Sequence, residues 1–321
     1  MDAAPFHEAV SDAPAGGRAF WVETSDRMRI RAVLWDGGPR GTVVIFPGRT
    51  EFAEKYGRIV SRLAAEGLSV LVIDWRGQGL SHRYPANPKL GHVDDFRDYQ
   101  RDVAAVFADP AVRALPKPWV MLGHSMGGCI GLRTLLERID FCGAVFSAPM
   151  WHLQMRAATR EITTKVTRIA NLIGLGARLT PGSNPGPTAL AVAFEGNALT
   201  SDPEHYAWFT RQILAHSDLT IGGPSMQWTY AALEEMARLY VAPLPRIPVL
   251  ALLGTDETVV SPNVIRTQIA RMERGELMIC QNARHEILME RPEIQEAVWA
   301  RVLSFIDALA EPRPEAAAIS R

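Results

Sequence analysis

The chain has 321 residues, 47% of them hydrophobic and 21% charged, which is the balance of a globular protein with a sizeable core. A formal net charge of -1 provides no global field to draw it to nucleic acid. The three cysteines, Cys129, Cys142 and Cys280, are too widely spaced for a disulfide framework or a zinc site and fit a reducing, cytoplasmic setting.

Residues 1–17 are rich in Ala, Pro and Gly and read as a loose, flexible arm without a secretory signal. Two strands follow at 20–23 and 28–35, around a Ser25-Asp26 turn. Residues 42–46 form a short apolar strand that stops at Pro47-Gly48. The next stretch places Tyr56, Ile59, Val60 and Leu63 on one helical face, and Gly67 ends it. A further strand at 69–73 leads to Asp74. A helix is expected at 94–108, then strands at 118–122, 143–146, 248–253 and 276–280. A closing helix carries Ile294, Val298, Val302, Phe305 and Leu309, and a disordered tail follows at 311–321. No apolar run approaches the length of a membrane span.

Apolar strands alternating with helical periods imply a mostly parallel sheet covered on both faces. This rhythm holds over 18–149 and 246–310. It breaks over 150–245, a helical stretch rich in Trp and Met that reads as a cap inserted over the strand ends. In the cap, Ile162, Val166, Ile169 and Ile173 recur at helical spacing. Cap core is the plain reading of that stripe; a greasy wall or membrane-facing lid is the sharper one. Arg156, Arg160, Lys165 and Arg168 lie nearby, a row that is either solvated or drawn to anionic surfaces.

The unusual residues gather at the carboxyl ends of the strands, where open sheets of this kind place their sites. Gly123-His124-Ser125-Met126-Gly127 lies between the apolar run 119–122 and a helix-like run at 129–139. Strand, G-x-S-x-G and helix in that order describe a nucleophile elbow, a sharp turn whose flanking residues must be small. Gly128 adds room for the helix to pack. A serine needs a base and the base needs a carboxylate, arranged Ser, acid, His along this kind of chain. His285 lies just past the last strand and suits the base; His205 and His216 fall inside the cap, and His124 is read as a packing or hydrogen-bonding residue. The acid is open between Asp256 and Glu257, because neighbours in an extended loop face opposite ways. Two backbone N–H donors should hold the oxyanion, one from Met126 and one from Arg49 after Pro47-Gly48. The Arg49 side chain could meet an anionic head group or simply face solvent.

Two other signals fail their context. Asp74-Trp75-Arg76-Gly77-Gln78-Gly79 follows a strand, but a dinucleotide fingerprint would require glycine where His82 stands. No phosphate-binding loop motif occurs and no His or Cys pair has metal spacing, so neither cofactor nor metal is expected.

Taken together, residues 46–51, residues 74–81, residues 123–128 and residues 283–286 resemble the α/β-hydrolase family of bacterial lysophospholipases and monoacylglycerol lipases, a serine aminopeptidase S33-type group. The resemblance spans about 20–309. It implies an α/β-hydrolase fold with a helical cap, a Ser-Asp/Glu-His triad and hydrolysis of acyl esters of single-chain lipids. The family's acid motif, G-x-x-[DE]-x-[VIL]-[VC], matches Gly254, Glu257, Val259 and Val260, and that register selects Glu257. Pro47-Gly48, where monoacylglycerol lipases of eukaryotic type carry His-Gly, is similar to the bacterial lysophospholipase branch. A serine peptidase or amidase, and a binding protein without turnover, are the rival readings.

Overall fold

The computed structural model describes residues 2–137, 141–187 and 192–310. The expected tail at 311–321 and the last residues of the helix expected at 129–139 lie outside them. A nine-stranded sheet runs in the order β1-β2-β3-β5-β4-β6-β7-β8-β9. Its strands are β1 (Asp2–Ala3), β2 (Arg18–Glu23), β3 (Arg29–Pro39), β4 (Thr42–Phe46), β5 (Leu68–Ile73), β6 (Trp119–His124), β7 (Gly143–Ser147), β8 (Val249–Gly254) and β9 (Gly275–Cys280). The first strands pair antiparallel through β3 and β5, and every pairing from β5 to β9 is parallel. Every residue of β4, β5, β6, β7 and β8 is buried, which is why these strands read as unbroken apolar runs rather than as alternation. β9, at the edge, is half-buried over most of its length.

The helices are α1 (Glu8–Ser11), α2 (Gly57–Ala65), α3 (Asp98–Ala108), α4 (Pro110–Arg113), α5 (Met126–Glu137), α6 (Ala157–Leu172), α7 (Pro203–Ala215), α8 (Met226–Val241), α9 (Pro262–Arg271) and α10 (Pro292–Ala310). α6, α7 and α8 fall between β7 and β8. The helix expected from 94 begins at Asp98 instead, because the Asp95 carboxylate accepts from the Arg97 N–H (2.9 Å) and makes a turn there.

Residues 2–17 are a correction to the loose arm that their composition suggests. β1 pairs with β2, and Phe6 sits edge-on to Trp35 with centroids 5.4 Å apart. Backbone carbonyls do the rest: Trp35 Nε1 donates to Pro14 O (3.0 Å), Arg31 Nη1 to Pro5 O (3.0 Å) and Gln212 Nε2 to Val10 O (2.6 Å). Side-chain composition does not reveal docking through main-chain acceptors. Among the described residues, no helix is long and apolar enough to cross a membrane.

Candidate active site

β6 delivers Ser125 to the tip of a sharp turn at φ 48°, a left-handed conformation that is uncommon for a residue with a side chain. The Ser125 N–H donates to Ser147 O (3.1 Å), and its carbonyl accepts from Gly128 (2.9 Å) and Met150 (2.8 Å), so the strained turn is fixed from both sides. The need for small neighbours is steric. A Cβ on Gly127 would fall 1.8 Å from Phe46 O. One on Gly128 would meet Pro149 Cβ at 2.6 Å, so Gly128 makes room for the loop after β7.

The loop after β9 brings His285 back over the sheet. Its Nδ1 lies 2.7 Å from Glu257 Oε2, with both side chains buried. The other Glu257 oxygen accepts from the N–H groups of Val259 (2.6 Å) and Val260 (3.1 Å). Burial raises the Glu257 pKa, but His285 and these N–H groups outweigh it and hold the group below its ordinary value, as a carboxylate. Asp256 is exposed, points away and accepts from Thr255 Oγ1 (3.1 Å). The acid and base loops are joined through main chain: Asp256 N donates to Ala283 O (3.0 Å) and Thr255 N to Cys280 O (3.0 Å). A side chain at Gly254 would strike Ala283 O at 2.2 Å, so this close approach requires glycine.

Ser125 and His285 line one cavity of about 400 Å³ with Gly48 and Arg49. Its apolar wall comes from Met150 and Leu153 beside the sheet and from Phe209, Ile213, Ile221 and Trp228 of the cap. Ser125 Oγ and His285 do not hydrogen-bond each other in this structure, a looseness common before a substrate closes the site.

The turn after β4 is held from beneath, and sequence reading missed the residues that hold it. Glu51 accepts from Gly48 N–H and from Tyr56 Oη (2.5 Å). Gln78 brackets the turn, donating to Gly48 O (2.7 Å) and accepting from Thr50 N–H (3.2 Å), while Trp75 Nε1 donates to Pro47 O (2.9 Å). The N–H groups on either side of Arg49 are therefore engaged, and among the described residues the Arg49 N–H has no acceptor. The stretch from Asp74 to Gly79 is this scaffold. Asp74 takes the Ala53 (2.8 Å) and Leu80 (2.9 Å) N–H groups and pairs with buried Arg31.

A buried charge network underlies the site. Lys55 Nζ bridges Glu51 Oε1 (2.7 Å) and Glu286 Oε1 (2.5 Å). The cluster of Glu51, His124 and Glu286 has the spacing of metal ligands, but the Lys55 ammonium already bridges its two carboxylates. His124, read from sequence as a packing or hydrogen-bonding residue, has Nδ1 on Ser147 O (3.1 Å) and its ring 4.9 Å from that of His285, in the cavity wall. Burial lowers its pKa to about 4, so it is neutral at pH 7.

His205 of α7 is the second buried neutral histidine. Burial lowers its pKa to about 3, the Lys55 and Arg58 charges add to this, and among the described residues its Nε2 has no partner. A histidine with a lower pKa folded than unfolded makes stability fall with pH, from about 6.5 down to the folded value. His205→Phe removes that proton-linked term. At pH 4 the variant should lose about 3 kcal/mol less of its neutral-pH stability than the wild type. Urea unfolding of both proteins at pH 7 and pH 4 measures this; parallel losses would refute it.

Comparisons with known proteins give the family and the fold. A family model described as Hydrolase_4, serine aminopeptidase, S33, matches residues 37–292. The chain belongs to that family. Lysophospholipase L2 of Escherichia coli strain K12 is 30% identical over 278 residues, covering 83% of this chain and 80% of that protein. Monoacylglycerol lipase of Mycolicibacterium smegmatis is 28% identical over 195 residues, or 59% of this chain and 62% of that one. Among solved structures, a soluble variant of monoglyceride lipase from Saccharomyces cerevisiae superposes with a TM-score of 0.71 at 20% identity, covering 93% of this chain and 98% of that one. This S33-family chain thus has an α/β-hydrolase fold, with its cavity at the carboxyl ends of β4, β6, β7 and β8.

Proposed function

We propose that this chain is a serine hydrolase that cleaves carboxylic esters of single-chain lipids through an acyl-enzyme. The observation that carries this is the Glu257–His285 pair opening onto the same apolar cavity as the strained Ser125. Ser125 Oγ attacks the ester carbonyl as His285 Nε2 takes its proton. Glu257, at Nδ1, fixes the tautomer and steadies the imidazolium. The Met126 and Arg49 N–H groups hold the oxyanion. His285 returns the proton to the leaving alcohol, then draws one from the water that releases the fatty acid. The relatives named as lysophospholipase and monoacylglycerol lipase support a glycerolipid substrate. A fluorophosphonate probe should label Ser125, located by peptide mapping; folded protein that stays unlabelled would favour a binding role. The family description also names an aminopeptidase, so acyl esters are to be compared with aminoacyl amides. Faster amide cleavage would overturn the lipid reading.

We further propose that the cap meets a membrane surface, peripherally and from the cytoplasmic side. Ile162, Ile169, Leu172 and Ile173 are 62%, 57%, 77% and 65% exposed, so the α6 stripe is neither cap core nor cavity wall. Helical spacing places Lys165 and Arg168 on its flank, both exposed. An apolar stripe flanked by bases suits an interfacial helix. Ile162→Glu/Ile169→Glu should lower the ratio of turnover on anionic vesicles to turnover on a soluble short-chain ester by about tenfold. An unchanged ratio would refute the contact.

A further inference from the structure

Arg49, half-buried with its Nε enclosed, differs from the other buried and half-buried cations named here. Arg31 has Glu54 and Asp74, Arg76 has Asp26 and Asp102, Lys55 has Glu51 and Glu286, and Arg133 has Glu235. Among the described residues Arg83 pairs with no carboxylate, but the carbonyls of Gly79, Pro88, Asp218 and Thr220 take up its donors. Among the described residues Arg49 has one acceptor, Gly222 O at 2.6 Å from Nη2. Among the described residues its buried Nε has no partner, its Nη1 makes no hydrogen bond and no carboxylate pairs with it. The guanidinium lies 5.1 Å from the centre of the Trp228 ring. Space is kept for it at Gly91, where a Cβ would stand 2.6 Å from Nη2. Burial lowers its pKa to about 10, so it remains charged at neutral pH.

A guanidinium partly withdrawn from water without a counter-ion is costly unless an anion completes it. This one lines the substrate cavity. We infer that Arg49 is the recognition residue for a phosphate group, the head-group phosphate of a single-chain glycerophospholipid whose ester is presented to Ser125. The inference rests on the hydrolase reading above and deepens it. If the Arg49 N–H holds the oxyanion, its own side chain sets how far the cation lies from the scissile carbonyl. An arginine side chain has a reach comparable to the glycerol spacer between an ester carbonyl and a phosphorus atom. The guanidinium fork, with free donors at Nε and Nη1, suits phosphate oxygens. A monoacylglycerol has nothing to offer it. The site therefore favours lysophospholipids over neutral glycerides.

Non-cleavable ligands test this apart from turnover. A 1-O-alkylglycerol-3-phosphate and the 1-O-alkylglycerol of the same chain are titrated into wild type, Arg49→Gln and Arg49→Lys. The phosphate ether should bind wild type on the order of 10–100-fold tighter than the neutral ether. Arg49→Gln should bring that ratio close to one, and Arg49→Lys should keep part of it. Using a ratio cancels any shared loss of fold or pocket shape. Equal binding of the two ethers by wild type, or a ratio unmoved by Arg49→Gln, overturns the inference. So does inorganic phosphate alone binding as tightly as the phosphate ether, since the site would then take the free anion. Turnover of the acyl counterparts is read separately and bears only on the hydrolase reading.

Discussion

Ser125→Ala should lower ester turnover by a factor on the order of 10⁵ while leaving the thermal midpoint nearly unchanged. The size of the loss follows from what is removed. Without Oγ there is no acyl-enzyme, and only the N–H groups of Met126 and Arg49, with the binding energy of the cavity, remain to aid attack by water. Stability should be spared for two reasons. Ser125 Oγ makes no hydrogen bond among the described residues, so its removal orphans no partner. Alanine carries the same Cβ and the same cost at φ 48°, so the strain of the turn is unaltered. Steady-state turnover of a medium-chain ester, with a melting curve on the same preparation, reads both quantities. Turnover near that of the wild type would end the proposed mechanism, and a collapsed melting temperature would show that the serine also holds the turn.

The sheet was legible because β4 to β8 are buried on both faces, and continuous apolar runs of five or six residues have few other uses. The elbow was legible because its constraint is local: a serine between glycines, after a strand and before a helix. Other features depend on contacts between residues far apart in sequence. Gln78 sits in a motif that resembles a failed dinucleotide fingerprint, and only the fold shows it gripping Gly48 and Thr50 from the loop after the neighbouring strand. Lys55 and Glu286 are 231 positions apart and look like ordinary surface charges until burial makes them a pair. The α6 stripe has the spacing of an amphipathic helix in any setting. Spacing cannot tell whether such a face meets core, cavity or solvent, and here it meets solvent. The arm at 2–17 was misjudged because its docking runs through carbonyls.

The neighbouring carboxylates offer the second large effect. Glu257→Gln should lower kcat about 10⁴-fold with KM little changed, whereas Asp256→Asn should stay within about twofold. Glutamine fits the space of glutamate, and its oxygen can still accept from Val259 and Val260. Its amide would then face His285 Nδ1 as a donor, so Nδ1 must accept and the ring proton moves to Nε2. A histidine protonated at Nε2 cannot take the proton of Ser125, and the imidazolium it would form lacks its counter-charge. Asp256 has no such position: it is exposed, the next residue to the acid in sequence, and among the described residues its carboxylate accepts only from Thr255 Oγ1. The double variant should be no worse than Glu257→Gln alone, because a residue outside the relay adds nothing once the relay is broken. If Asp256→Asn carried the larger loss, the Glu257–His285 pair would be structural, and the base would draw its carboxylate from an arrangement of this loop other than the one seen.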